Sequence, residues 1–155
     1  MGSQIALVLR IKRRWMRLIM AGEKTWELRR QRFNLEGCRI GLACSETKRI
    51  WATATVREVF LASLEHLSAN FDKHGVSSDW LQMYAGEKTH LVVYTLERVT
   101  NLCEPYLYDA PRGCVSLVRA TQQMREDVAE AEGSSMVYSI EEADAALAAA
   151  GASLY

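Results

Sequence analysis

From Ile5 to Arg30 the chain passes from a short apolar run through a helical stripe into an alternating strand, with one glycine junction before the strand. Ile5 to Arg10 is apolar up to its last residue and reads as a buried strand. Ile11, Trp15, Leu18 and Ile19 then fall at i, i+4, i+7 and i+8, a single helical stripe, with Arg13, Arg14 and Arg17 off it. Gly22 stands where the residue after a helix takes a left-handed conformation. Lys24 to Arg30 alternates: Lys24, Trp26, Leu28 and Arg30 share one face, and Thr25, Glu27 and Arg29 the other. Trp26 and Leu28 are expected to face the core, with Glu27 and Arg29 pointing away from it together.

Two more strands follow, Arg39 to Ser45 and Arg49 to about Phe60, joined by a polar link of hairpin length. Residues 63–75 read as one helix capped by Ser63 and ended by Gly75. Ser77-Ser78-Asp79 opens a short helix through Tyr84, and His90 to Val99 is a strand. Cys114 to Arg119 is a closing strand after the turn Pro111-Arg112-Gly113. The pentapeptide Ala21–Thr25 recurs as Ala85–Thr89, without matching flanks, which reads as reused junction chemistry. Strand, helix, three strands, two short helices and further strands within about 120 residues predict an α+β, mainly β fold: a small β-barrel with helices at its mouth.

The chain balances 19 Lys and Arg against 19 Asp and Glu, but not evenly along its length. Residues 1–120 hold 18 basic and 12 acidic residues; residues 121–155 hold 1 basic and 7 acidic. The expected organisation is a basic domain over 1–120 and an acidic extension over 121–155. Ser139 and Glu142 form a capping box for an alanine-rich helix to about Ala150. Ile140 and Leu147 are its only large apolar residues, so it is expected to dock weakly or lie free. The basic part asks for an anionic partner; alternatively, the two parts neutralise one another.

A hydrophobic content of 49% with 25% charged residues excludes collagen-like, disordered and disulfide-scaffold classes. No run of about 18 apolar residues is present to span a membrane. Ile5 to Leu9 is too short for a signal-peptide core and is followed by basic residues. Cys38, Cys44, Cys103 and Cys114 form no CxxC and have no histidine at finger spacing. Free thiols in a cytoplasmic protein, with no metal and no cofactor, are expected.

Ile11-Lys12, then Ile19, then Gly22-x-Lys24-x-x-Glu27-x-Arg29 resembles the signature of the ASCH domain, a family of the PUA-like superfamily. A strand near Leu91–Leu96, then Leu102, Pro105 and a Pro-x-Gly turn, is similar to its later pattern. The resemblance covers residues 4–120. It implies a β-barrel with a cleft beside the first helix, lined by Lys12, Gly22, Lys24, Glu27 and Arg29, and a ligand that is RNA or a modified nucleoside or nucleotide. One group of the family hydrolyses the amide of acetylated cytidine with a Lys, a Thr three residues later and a distant Glu. Lys24 matches that Lys, whereas Glu27 stands where the Thr would be. Other members are described as ribonucleases.

The residue types fit such a ligand. Lys24 supplies a cation with three donors, Arg29 a planar fork, and Glu27 an acceptor for an exocyclic amine. If the protein is an enzyme, Lys24 and Glu27 are the candidate acid/base pair. The plain alternative is a Glu27–Arg29 ion pair with Lys24 solvated. Lys12, Arg13, Arg14 and Arg17 can follow a phosphate backbone, or form an ordinary solvated helix face. Trp51, Trp80 and Tyr84 are candidate stacking platforms, each of which could equally pack as core, and Trp15 is expected in the core. His66, His74 and His90 are scattered and expected to be solvated. The acidic extension is a candidate cover for the basic face, or a site for a basic partner.

Overall fold

The computed structural model describes residues 4–109 and 116–152. The elements are β1 (Leu7–Ile11), α1 (Arg13–Met20), β2 (Trp26–Arg29), β3 (Arg39–Cys44) and β4 (Arg49–Ser63). Then come α2 (Leu64–Ala69), α3 (Phe71–His74), α4 (Ser78–Ala85), β5 (His90–Leu107), β6 (Leu117–Arg119), α5 (Gln122–Ala131), β7 (Ser135–Met136) and α6 (Ile140–Ala152). The fold is α+β and mainly sheet.

The sheet order is β2-β5-β4-β3-β1-β6, with β7 added beside β5. β1 and β3 are parallel, and the other pairs are antiparallel. Among the described residues no ladder joins β2 to β6. The sheet is therefore open at both ends, and the closed barrel expected from the sequence is not what the ladders make. Three register shifts along the β4–β5 ladder bend the two long strands. The strand expected over His90 to Val99 runs on to Leu107, through Pro105. That proline falls in the jump between the Ala52–Asn101 and Ile50–Tyr106 pairs, where no ladder hydrogen bond is demanded of it. The Pro111-Arg112-Gly113 turn lies outside the described residues.

Local chemistry explains the helix ends. Gly22 has φ +78 and Gly86 has φ +61, so both copies of the repeated pentapeptide turn out of a helix on a glycine with positive φ. Ser63 and Ser77 cap α2 and α4 by accepting from the amides of His66 and Trp80. The single helix expected over 63–75 is broken at Asn70, which leaves helical geometry and donates its side-chain amide to the His66 carbonyl. The stripe on α1 is rotated from expectation. Met16, Ile19 and Met20 are buried, while Trp15 and Leu18 are half-buried.

Residues 121–152 pack on the sheet. Met124 and Val128 of α5 join a core with Ile5, Val8, Ile50 and Leu102. Ala143 and Leu147 of α6 join the main core with Trp51, Leu42 and Met16. Ser139 and Glu142 exchange hydrogen bonds of 3.1 Å each, as a capping box does. Glu132 accepts from Arg39 at 2.8 Å and from Thr53 at 2.6 Å, a partly buried network on β3 and β4. The extension is docked, and its helix is neither loose nor free. Alanine is small enough to let α6 approach α1, so little bulk is needed.

Candidate functional site

The end of α1 sets the position of Lys24. The amides of Glu23 and Lys24 donate to the Leu18 carbonyl, and the Thr25 amide donates to the Lys73 carbonyl. The strand begins only at Trp26, so Lys24 is not bound by the alternation of β2. It joins Glu27 and Arg29 on one side, where simple alternation would separate it from them. Glu27, expected to point away from the core, is only 3% exposed because neighbouring elements cover that side of the strand. Trp26 is half-buried, meets Phe60 edge to face and stacks on His66.

The three signature side chains are connected. Lys24 Nζ donates to the His74 carbonyl at 2.8 Å and stands 3.8 Å from Glu27 Oε1 and 5.2 Å from the Trp15 ring centre. Arg29 Nη2 donates to Glu27 Oε2 at 2.9 Å and to the Arg10 carbonyl at 2.6 Å. The Glu27–Arg29 pair weighed from the sequence is therefore present, but Lys24 is not solvated: it is 1% exposed. Burial lowers its ammonium from the ordinary 10.5 to about 8, with Glu27 pulling it back up and Arg29 pushing it further down.

A cavity of about 360 Å³ opens beside these groups. That volume falls within the range of small-molecule sites. Lys24, Glu27 and Arg29 line one side of it, Trp15, Leu28, Val76, Trp80, Leu81 and Tyr84 give it apolar and aromatic walls, and Arg10, Lys12, Ser45 and Ser116 complete the lining. Trp15 and Trp80 meet edge to face at 6.0 Å. Arg14 lies 4.3 Å over the Trp80 ring, and Arg30 lies 5.2 Å over Tyr84. A planar ring could lie against such walls while its polar edge meets Glu27, Lys24 and Arg29.

The sequence candidates divide clearly. Lys12, Lys24, Glu27, Arg29, Trp80 and Tyr84 line the cavity; Gly22 does not, and its role is to end α1. Trp51 is not a stacking platform. It is 3% exposed, and its Nε1 donates to Thr47 Oγ1 at 2.8 Å. Arg13, Arg14 and Arg17 share a separate groove with Leu18, Gly75 and Asp144, and Trp15 is the wall common to groove and cavity. Trp15 is thus part of both sites rather than plain core. His74, expected to be solvated, is fully buried and carries the carbonyl that holds Lys24.

Arg10, Ser45 and Ser116 were missed. The parallel pairing of Ile11 with Cys44 puts Arg10 and Ser45 at the same sheet end, and the Arg10 amide donates to the Ser116 carbonyl. Only the pairing brings these three together, so no local signal marks them.

No curated protein matches the chain in sequence. Among solved structures, the ASCH protein of Zymomonas mobilis superposes with a TM-score of 0.67 at 15% identity, covering 80% of this chain and 93% of that one. A serine-to-alanine variant of the same protein gives 0.67 at 14% identity, covering 84% and 98%. At this identity the likeness speaks for the fold alone. The sequence profile of the ASCH domain matches residues 9–102, the stretch from the middle of β1 through most of β5 that includes Lys12, Lys24, Glu27 and Arg29. Profile and shared fold together assign the chain to the ASCH domain family.

Proposed function

We propose that this protein binds RNA or a modified nucleotide, with a nucleobase in the cavity beside Lys24, Glu27 and Arg29. The observation that carries the reading is the meeting of these three side chains at one wall of an aromatic-lined cavity of about 360 Å³. Glu27 accepts from an exocyclic amine or ring N–H, as carboxylates do at the amine edge of cytosine. Lys24 and Arg29 donate to a base carbonyl or to phosphate, and Trp80 stacks on the base. Lys12, exposed at the lining, meets the phosphate.

Titration with nucleosides and short RNA tests this. Trp80→Ala is expected to weaken binding by about fivefold or more, since base stacking contributes about 1 to 3 kcal/mol. Trp51→Phe is expected to leave affinity unchanged, because Trp51 faces the core. Equal affinity for wild type and Trp80→Ala would place the ligand elsewhere.

A second reading, hydrolysis of acetylated cytidine or of RNA, is favoured by one feature. Burial lowers the Lys24 pKa to about 8, 3.8 Å from Glu27 Oε1, so near pH 8 part of the Lys24 population is the free amine that can take a proton from a substrate. Acetylated cytidine and total RNA are incubated with wild type and with Lys24→Ala. Turnover lost in the variant supports catalysis, and intact substrates in every sample overturn it.

A further inference from the structure

The α1 groove already holds an anion, supplied by the chain itself. Arg13 Nη2 meets Asp144 Oδ1 at 3.1 Å, and Arg13 Nε donates to the same oxygen at 3.2 Å. Asp144 belongs to α6 and lines the groove with Arg13, Arg14 and Arg17. Glu46 is the other carboxylate at this end of α1, and it accepts from the Arg13 amide at 2.6 Å. That places its charge at the helix N-terminus, where an anion is favoured, and leaves the guanidinium to Asp144.

Two observations separate Asp144 from the packing of α6. The pair is open to water, with the side chains 40% and 42% exposed, and pairs of that kind add little to stability. The helix is anchored instead by Ala143 and Leu147, both fully buried. The carboxylate can therefore be neutralised without undocking the helix. The groove adjoins the cavity across Trp15, which lines both, and Arg14, a groove residue, lies over Trp80, a cavity residue. A nucleotide chain with one base in the cavity would have its backbone carried past Trp15 toward Arg13, Arg14 and Arg17.

We propose that the α1 groove is a phosphate subsite for the RNA strand flanking the bound base, and that Asp144 is its built-in competitor. This rests on the cavity reading given under Proposed function and adds two consequences. Strands bind better than bare nucleosides, and Asp144 sets how much better. An incoming phosphate takes Asp144's place on Arg13, while α6 stays docked through Ala143 and Leu147.

The test uses the full chain, a ten-nucleotide single-stranded RNA of mixed sequence, and free nucleosides, at 50 and 200 mM salt. Asp144→Asn is expected to tighten RNA binding by about threefold at the lower salt and to steepen the logarithmic salt dependence by about 0.7, the increment for one more phosphate contact on a single strand. Arg17→Ala is expected to do the opposite. Nucleoside affinity should be the same in all three proteins. RNA affinity unchanged or weakened in Asp144→Asn overturns the proposal. If nucleosides bind and Asp144→Asn has no effect, the cavity reading stands and the groove falls. If nucleosides do not bind while Asp144→Asn tightens RNA, the groove stands and the cavity reading falls. If neither probe binds any of the proteins, both fall.

Discussion

The backbone carbonyl of His74 accepts the Lys24 ammonium at 2.8 Å, so a residue fifty positions along the chain fixes where the signature cation stands. The His74 ring is itself immobilised. Its Nδ1 accepts from the Val76 amide at 2.9 Å, and its Nε2 lies 2.6 Å from the Leu67 carbonyl. A neutral ring with its hydrogen on Nε2 satisfies both contacts. One buried imidazole thus holds the short α3 segment, whose last carbonyl holds the site.

Lys24 gives up its proton more readily in the fold than in the unfolded chain, because burial lowers its pKa from 10.5 to about 8. Below pH 8 both states are protonated and the cost of burying the charge is fully present. Between about pH 8 and 10.5 the unfolded chain holds a proton that the folded chain has released, so this group's contribution to stability rises with pH. Lys24→Met removes the contribution. Denaturant titrations from pH 7 to 10.5 are expected to show the variant losing ground against wild type steadily across that window. A difference that stays flat with pH would show that Lys24 does not titrate in a buried site.

His74 acts on the acid side. Burial lowers its pKa from the ordinary 6.5, with the Leu67 carbonyl opposing the shift. As the pH falls below 6.5, the unfolded chain takes up a proton that the folded ring refuses, and stability is lost. Protonation would also set an N–H of the ring against the Val76 amide. His74→Gln is expected to be less stable by about 1 to 3 kcal/mol at pH 7, since one buried amide loses its acceptor. The gap from wild type should narrow as the pH is lowered toward 5. A gap that stays flat would mean that the ring charges as freely in the fold as in the unfolded chain, and one that widens would mean that the fold favours the charged ring.

What the sequence could show follows from the range over which each feature is specified. Lys24, Glu27 and Arg29 lie within six residues of one another, next to a glycine that ends a helix, so their grouping is a local property. Trp51 failed for a different reason. Alternation through Ile50, Ala52, Ala54 and Val56 predicts an opposite face of Trp51, Thr53 and Thr55 turned outward, yet residues 50–54 are all buried. The face that looks outward in sequence is covered: Thr53 donates to Glu132, and Trp51 packs in the same core as Ala143 and Leu147. Period-two patterning identifies a strand but cannot reveal that the polar face is later covered by a segment eighty residues away. The same segment looked like an appendage because its composition is acidic and alanine-rich. Its attachment depends on small residues and on carboxylates matched to Arg13 and Arg39, and neither registers as hydrophobic bulk.

Docking of α6 yields the last prediction. Leu147 is fully buried among residues of the main core that come from β3, β4 and α1. Truncating a leucine in such a place removes the transfer free energy of its methyl groups and leaves a cavity. Leu147→Ala is therefore expected to destabilise the whole domain by about 2 to 5 kcal/mol, with a lower urea midpoint and an unchanged m-value. Val137, 92% exposed in the same segment, is the control, and Val137→Ala is expected to change stability by less than about 0.5 kcal/mol. A helix lying loosely on the surface would give both substitutions the same negligible effect. A midpoint lowered only in Leu147→Ala shows that α6 unfolds with the sheet, so that any release of Arg13 from Asp144 occurs by exchange of partners in place and not by departure of the helix.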